Sequence, residues 1–356
     1  MRFGETHFSD VAYFDLSDRR TLRAVRRANG AAEGLLEELS LLRGRGLHFR
    51  KTLLILDGLS DVEGWRLLSR LSSAGSCPVV GITSHPSLGG AGDGAHMEER
   101  GGVLSLRLYP MTFGEFVAAA PTEARGGREA TLFRRYLQVG GMPRAVEAYW
   151  AEENLAAARA VHSALSARIL CHLADGAPPK MFEKLSAVWR SVPLQLEAGR
   201  ERFRFADVRA EWRAKDLEEA VAWLCRSGLL YRVPRLSGET PWDGRAFSLI
   251  PADVGLLSFF LGGGEEALLE RAAVLAEWRA RGIERVYSWH SGNMAQVDFL
   301  VGDVPVLQKA GRHRARALAE YRKRFHPPRE LILSAEGEEG TVPPWRAAEA
   351  FLGKFG

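Results

Sequence analysis

The sequence predicts a multidomain α/β protein: a parallel sheet with helices in its first third, a helical middle closing on a small helix-and-wing unit, and a second α/β layer at the end. Three observations predict it. Short apolar runs alternate with amphipathic stretches between Val11 and Thr83. A helical pattern continues from Thr112 to Arg190, and three apolar runs from Val286 to Gln308 precede one more helix and strand.

In order, Val11–Asp15 reads as a strand, Thr21–Leu42 as a helical stretch, Thr52–Leu56 as a strand, Val62–Leu71 as a helix and Pro78–Thr83 as a strand. Runs this apolar suit a parallel sheet buried on both faces. His85–Gly102 holds six glycines and reads as a surface loop. Val103–Leu108 is the next strand, and Thr112 with Glu115 forms a capping box that opens a helix. The helical pattern breaks at Gly140-Gly141 and restarts at Pro143, a residue suited to the first helical position. Within Phe203–Val233, Leu217, Val221, Leu224 and Cys225 share one helix face, Gly228 ends the helix and Leu229–Val233 is a strand. That is a winged-helix arrangement, and a packing module without nucleic acid fits the same residues. The final section reads as a helix Glu265–Arg281, strands Val286–His290, Gln296–Val301 and Val304–Gln308, a helix Arg314–Phe325 and a strand Glu330–Leu333, with Gly292-Asn293 joining the first two strands.

The chain has 356 residues, 46% hydrophobic and 26% charged, which excludes extended disorder, a collagen-like repeat and a coiled-coil rod. The 48 basic and 44 acidic residues leave +4, which permits nucleic acid without demanding it. Only seven basic residues are Lys, so an Arg cluster carries little weight by itself. Cys77, Cys171 and Cys225 stand apart with no C-x-x-C, which argues against structural zinc and a disulfide framework. The first residues carry no apolar leader core, and no stretch approaches the roughly 20 apolar residues of a membrane span. A cytoplasmic location is expected.

Chemistry is sparse. Asp57 ends the apolar run TLLILD as a Walker B acid would, placing a carboxylate at a strand end to hold Mg²⁺ through water. Its neighbour is Gly58 instead of the Glu that orients attacking water, and no G-x-x-x-x-G-K-[ST] cradle occurs in the sequence. Asp298 and Lys309, on successive strands, resemble half of a metal-dependent nuclease set, but Leu307 stands two residues before the Lys, where a second acid belongs. No confident metal set results. Nine histidines include His290 and His313 beside that cleft, without H-E-x-x-H, and no G-x-S-x-G elbow occurs. Arg312, Arg314 and Arg316 open a basic helix that can contact phosphate, and a solvated helix start fits the same residues equally well.

The stretches TLLILDGLSDVEGW, RLYPMTFGEFV, YLQVGGMPRAVEAYW, KMFEKLSAVWRSVPLQL, EEAVAWLCRSGLLYRV, PADVGLL and WHSGNMAQVDFLVGDVPVLQKAG resemble, in order, a large family of prokaryotic AAA-type ATPases with a C-terminal domain of unknown function similar to restriction endonucleases. The resemblance implies an AAA-like core over 1–125 lacking the phosphate loop, a helical subdomain over 126–200, a winged helix over 201–260 and a nuclease-like domain over 261–356. Asp57 matches the Walker B Asp and Ser84 the polar sensor; Gly58 replaces the family's Glu. Asp298 and Lys309 match the nuclease set, Glu270 matches its helix acid, and Gln296 and Leu307 replace two further acids. RFGETHFSDVAYFDLSD resembles the piece following the phosphate-loop helix, so the chain is expected to begin one strand and one helix late.

Separate losses at three acids point to a degenerate, non-catalytic or weakly catalytic member with a regulatory or scaffolding role. ATP and Mg²⁺ are expected only if the site is completed. Partners are expected to be weakly held nucleic acid, through the winged helix and Arg312, Arg314 and Arg316, and a protein partner or second copy, with no membrane. Two alternatives stand beside this: an active ATPase whose phosphate loop is missing from this chain, and a winged-helix DNA-binding regulator.

Overall fold

Asp10–Asp15 (β1), Thr52–Asp57 (β2) and Val79–Ile82 (β3) form a parallel sheet in that order, in register Asp15↔Asp57↔Ile82 at the carboxyl ends. In this computed structural model the described residues are 6–28, 32–48, 51–59, 61–73, 78–83, 97–100, 103–237, 246–291, 296–308, 311–336 and 338–353. They divide into two units, Met1–Arg107 and Leu108–Gly356.

In the first unit β2 is buried along both faces, as its unbroken apolar run requires. Helices α1 (Arg19–Arg27), α2 (Ala32–Arg43) and α3 (Asp61–Ser73) cover the sheet. Ala12, Phe14, Ala24, Leu35, Leu39, Leu54, Leu56 and Leu71 share one core. The expected single helix over Thr21–Leu42 is therefore two. Asn29-Gly30, which disfavour helix, lie between them and outside the described residues. At the amino end of β1, Asp10 accepts from both Arg43 guanidinium nitrogens at 2.6 and 2.8 Å, which holds its carboxyl down at about 2.

A second correction concerns His85–Gly102. Met97–Arg100 (β4) is a strand, paired antiparallel with Val103–Leu106 (β5) in a two-stranded sheet of its own. The register Arg100↔Val103 pairs the residues on either side of Gly101-Gly102, which lie outside the described residues.

The second unit begins with α4 (Phe113–Ala118), opened by the expected capping box: Glu115 N–H donates to Thr112 Oγ1 at 3.3 Å and Thr112 N–H to Glu115 Oε2 at 2.8 Å. Helices α5 (Thr122–Arg125), α6 (Glu129–Val139), α7 (Pro143–Glu152, Pro143 first as expected), α8 (Leu155–Gly176), α9 (Pro179–Glu197) and α10 (Ala214–Arg226) follow. A six-stranded mixed sheet then forms in the order β11-β10-β9-β8-β6-β7. It comprises Leu230–Ser237 (β6), Phe247–Pro251 (β7), Val286–His290 (β8), Gln296–Val301 (β9), Val304–Gln308 (β10) and Leu331–Leu333 (β11). Between these run α11 (Val254–Phe260), α12 (Glu266–Ala280) and α13 (Gly311–Phe325), with α14 (Ala347–Leu352) after them.

Strand β7, five buried residues pairing antiparallel with β6, was not anticipated, because a run this short and without polar alternation carries little strand signal. Arg235–Ser237 of β6 continue into a parallel pairing with Ser288–His290 of β8, so one sheet runs across residue 260. The two sheet faces have separate cores. Phe299, Val301, Val304 and Val306 join Trp278 of α12, whose ring lies 5.0 Å from Phe299. Trp289, Val297, Leu300 and Leu307 join Leu318 and Tyr321 of α13. Among the described residues no helix is long and apolar enough to cross a membrane.

Candidate functional site

Two strand-end clusters carry the acids singled out from sequence, one in each unit. In the first, Asp57 ends β2 beside Asp15 of β1. The Tyr13 hydroxyl donates to Asp57 Oδ2 at 2.6 Å, and Asp15 Oδ1 accepts from Ser17 N–H at 2.7 Å. Tyr13 was not anticipated; it faces the same side of the sheet end as Asp57 and its hydroxyl occupies an acceptor that a magnesium-bound water would use. Gly58 adopts φ +83°, while its added Cβ would meet nothing closer than 3.8 Å. Space is not the obstacle to a Glu there; the left-handed backbone is. Gly58→Glu is expected to lower the stability of the first unit by about 1–2 kcal/mol, read from its urea midpoint, with no gain of ATPase activity. Ser84 lies outside the described residues.

In the second unit Glu270 on α12 and Asp298 on β9 share one hydrogen-bonding neighbour. What joins them is Gln308. Its backbone N–H donates to Asp298 Oδ2 at 3.1 Å and its Nε2 donates to Glu270 Oε2 at 3.4 Å. Leu307 is 3% exposed and packs among the apolar side chains beneath α13. Alternation along β10 thus sends position 307 into an apolar core and position 308 to the carboxylates. The one signal in sequence was a lone polar residue closing VPVLQ. Lys309 lies outside the described residues. Each carboxylate accepts one N–H from Gln308, and among the described residues no group of three or more His, Cys, Asp or Glu side chains is placed to hold a metal ion. Gln296, where the resemblance expects an acid, pairs with His290 across β8 and β9.

His290 is the other buried polar group here, 1% exposed. Burial, reinforced by the guanidiniums of Arg235 and Arg271, pushes its imidazolium down to about 3, so the ring is neutral. Glu201 Oε2 lies 3.3 Å from Nδ1 and opposes this, but that carboxylate is 47% exposed and screened by water, so burial wins.

The basic residues expected to touch phosphate are on α13. Arg316 is exposed; Arg312 and Arg314 lie on the helix, with side chains outside the description. Farther along, Lys323 and Arg324 are exposed, whereas Arg322 donates from Nε and one terminal nitrogen to Glu330. The helix of the wing unit is different: on α10 exposed Lys215 and Arg226 are matched by exposed Glu218 and Glu219. That face has no net attraction for a phosphate backbone.

A third buried constellation, unforeseen in chemical terms, ties three of the quoted motifs together. Asp253, 2% exposed, caps α11 by accepting from Leu256 N–H at 2.8 Å. It also accepts from Gly141 N–H at 2.7 Å and from the backbone of Gly255 and Met142. Burial outweighs these donors and raises its carboxyl to about 6. Met111 N–H donates to Gly141 O at 2.7 Å, and Met111 O accepts from the Tyr136 hydroxyl at 2.9 Å. PMTF, VGGMP and PADVG are therefore joined in one structural clasp.

A family model described as Domain of unknown function (DUF8612) matches residues 130–267. The matched stretch holds the Gly140-Gly141 and Asp253 sides of the clasp and stops short of Glu270 and Asp298. No curated protein matches the chain.

Proposed function

We propose that this chain is a non-catalytic, cytoplasmic relative of AAA-type ATPases with a restriction-endonuclease-like C-terminal region, retained as a scaffold that holds weakly bound nucleic acid and a protein partner. The observation that carries the reading is Gln308. It places two N–H donors on Asp298 and Glu270, where a nuclease would place Mg²⁺, while Leu307 lies in an apolar core. Support in the first unit comes from the parallel sheet that ends in Asp57, from the Tyr13 hydroxyl on that acid and from the left-handed Gly58. The exposed basic side of α13 supports phosphate contact, and the charge balance of α10 favours reading the wing unit as a packing module.

Supercoiled, linear and single-stranded DNA incubated with the protein and Mg²⁺ or Mn²⁺ are expected to remain intact. Metal-dependent cutting that Asp298→Ala abolishes would overturn the reading. A parallel titration with Mg-ATP is expected to show no binding at micromolar concentrations; a dissociation constant near 1 μM, about −8 kcal/mol, would favour an ATP-competent core instead.

A further inference from the structure

Helix α1 carries arginines at positions 19, 20, 23, 26 and 27, all exposed. At 100° per residue these positions fall within about 120° of arc, so five guanidiniums form one stripe along a helix about 13 Å long. Their combined charge exceeds the +4 of the entire chain. Among the described residues Arg27 has an ion pair, to Glu38 at 3.8 Å, and Arg19, Arg20, Arg23 and Arg26 have none. The carboxylate nearest in sequence, Asp18, is engaged as the helix N-cap by the backbone N–H of Arg20 at 3.1 Å.

Local stability does not account for this stripe. Arg26 and Arg27 suit the last turn, but Arg19 and Arg20 sit in a first turn without an acid, against the helix dipole. Arg19–Arg23 and Arg23–Arg27 are like charges four residues apart, and Arg20–Arg23 and Arg23–Arg26 like charges three apart, all repulsive on a helix surface. A face that opposes its own helix is relieved by a polyanion lying along it.

We infer that α1 is a docking face for the phosphate backbone of duplex nucleic acid, the guanidinium stripe lying along one strand. Phosphates of one strand rise about 3.4 Å each along the axis and stand farther apart along the winding strand, so the stripe reaches three to four of them with its extended side chains included. Guanidinium, a planar donor fork always charged, matches phosphate geometry better than an ammonium. A membrane surface fits less well. The apolar side of α1 is spent on the core, with Thr21, Ala24 and Ala28 at 3, 5 and 7% exposure, and among its described apolar side chains Leu22 alone is exposed, at 36%. Interfacial helices need an apolar face to insert. The site belongs to the first unit and is distinct from the proposed phosphate contact on α13. It does not depend on whether the second unit has lost its chemistry.

Four phosphate contacts give a log–log salt slope of about −3.6, so affinity of the full-length protein for a random-sequence duplex is expected to fall roughly 100-fold between 50 and 200 mM salt. Arg20→Gln/Arg23→Gln/Arg26→Gln is expected to flatten that slope by about 2.7. Its thermal midpoint is expected to be equal or higher, since repulsion is removed, which shows that the unit still folds. Arg314→Ala/Arg316→Ala is measured beside it. If the α13 variant flattens the slope and the α1 variant does not, the α1 inference fails while nucleic-acid binding on the second unit stands. No binding by the unaltered protein at 50 mM salt overturns both. Vesicles containing phosphatidylserine, offered with and without competing duplex, test the other polyanion. Retention on vesicles that excess duplex fails to displace would overturn the duplex assignment.

Discussion

Replacing Gly141 by Ala is expected to unfold the second unit or cost it at least about 4 kcal/mol, the range reserved for a backbone clash in a packed site. A Cβ at this position would sit 2.2 Å from Met111 O and 2.6 Å from Met111 N. Those atoms cannot swing aside as a flexible side chain would, because Met111 N–H donates to Gly141 O and Met111 O accepts from Tyr136. Neighbouring Gly140 adds φ +71°, with its own absent Cβ 2.5 Å from Gly255 N. Separating the chain there releases Asp253 from two of its donors and buries an uncompensated carboxylate. Gly114→Ala is the control. It lies inside α4 with open space at its Cβ, so the same chemical change is expected to stabilise by up to about 1 kcal/mol. Urea denaturation of the two variants separates a local backbone collision from any general effect of losing a glycine; equal midpoints would refute the clasp.

The pH dependence of the second unit is expected to be a near-cancellation that single substitutions expose. His290 is neutral in the folded state down to about 3, against an unfolded value of 6.5. Its stability contribution is therefore present above pH 6.5 and is lost on acidification toward pH 3, by up to about 5 kcal/mol. His162, buried and lowered for the same reason, acts in the same direction. Asp253 has the opposite sign: raised from 3.8 to about 6, it contributes fully below pH 3.8 and loses up to about 3 kcal/mol as pH rises through 6. Glu277, raised by burial, adds to that side. Between pH 7 and pH 4 the unaltered protein is expected to lose little. His290→Gln should shift the stability change over that interval by about 3 kcal/mol toward acid stability, and Asp253→Asn by a similar amount the other way. Urea midpoints at pH 4, 5, 6 and 7 measure it. Parallel pH profiles for all three proteins would mean that neither group is held as the buried geometry requires.

Much of the architecture was legible because local rules and global packing agree. The apolar run of β2 needed two covered faces and has them, and Thr112–Glu115 and Pro143 open helices where their chemistry says they should. Asp57 was legible at the end of a parallel strand, whereas the link from Asp298 through Gln308 to Glu270 left no sign in the sequence. Sequence alone also determined that no phosphate cradle of the usual pattern is present and that position 307 is apolar.

The tertiary structure decided what those residues can do. Strand alternation and the two separate cores of the six-stranded sheet send Leu307 toward α13 and Gln308 toward the carboxylates, an outcome fixed by pairing register rather than composition. Two glycine-bearing motifs and the PMTF segment became one clasp because segments distant in the chain approach more closely than a Cβ allows, and a backbone contact leaves only a missing side chain as its trace in sequence. The arginines of α1 were readable as letters from the start. That all five point outward while Thr21, Ala24 and Ala28 are buried is a consequence of where the helix packs, because burial of one face fixes the exposure of the other.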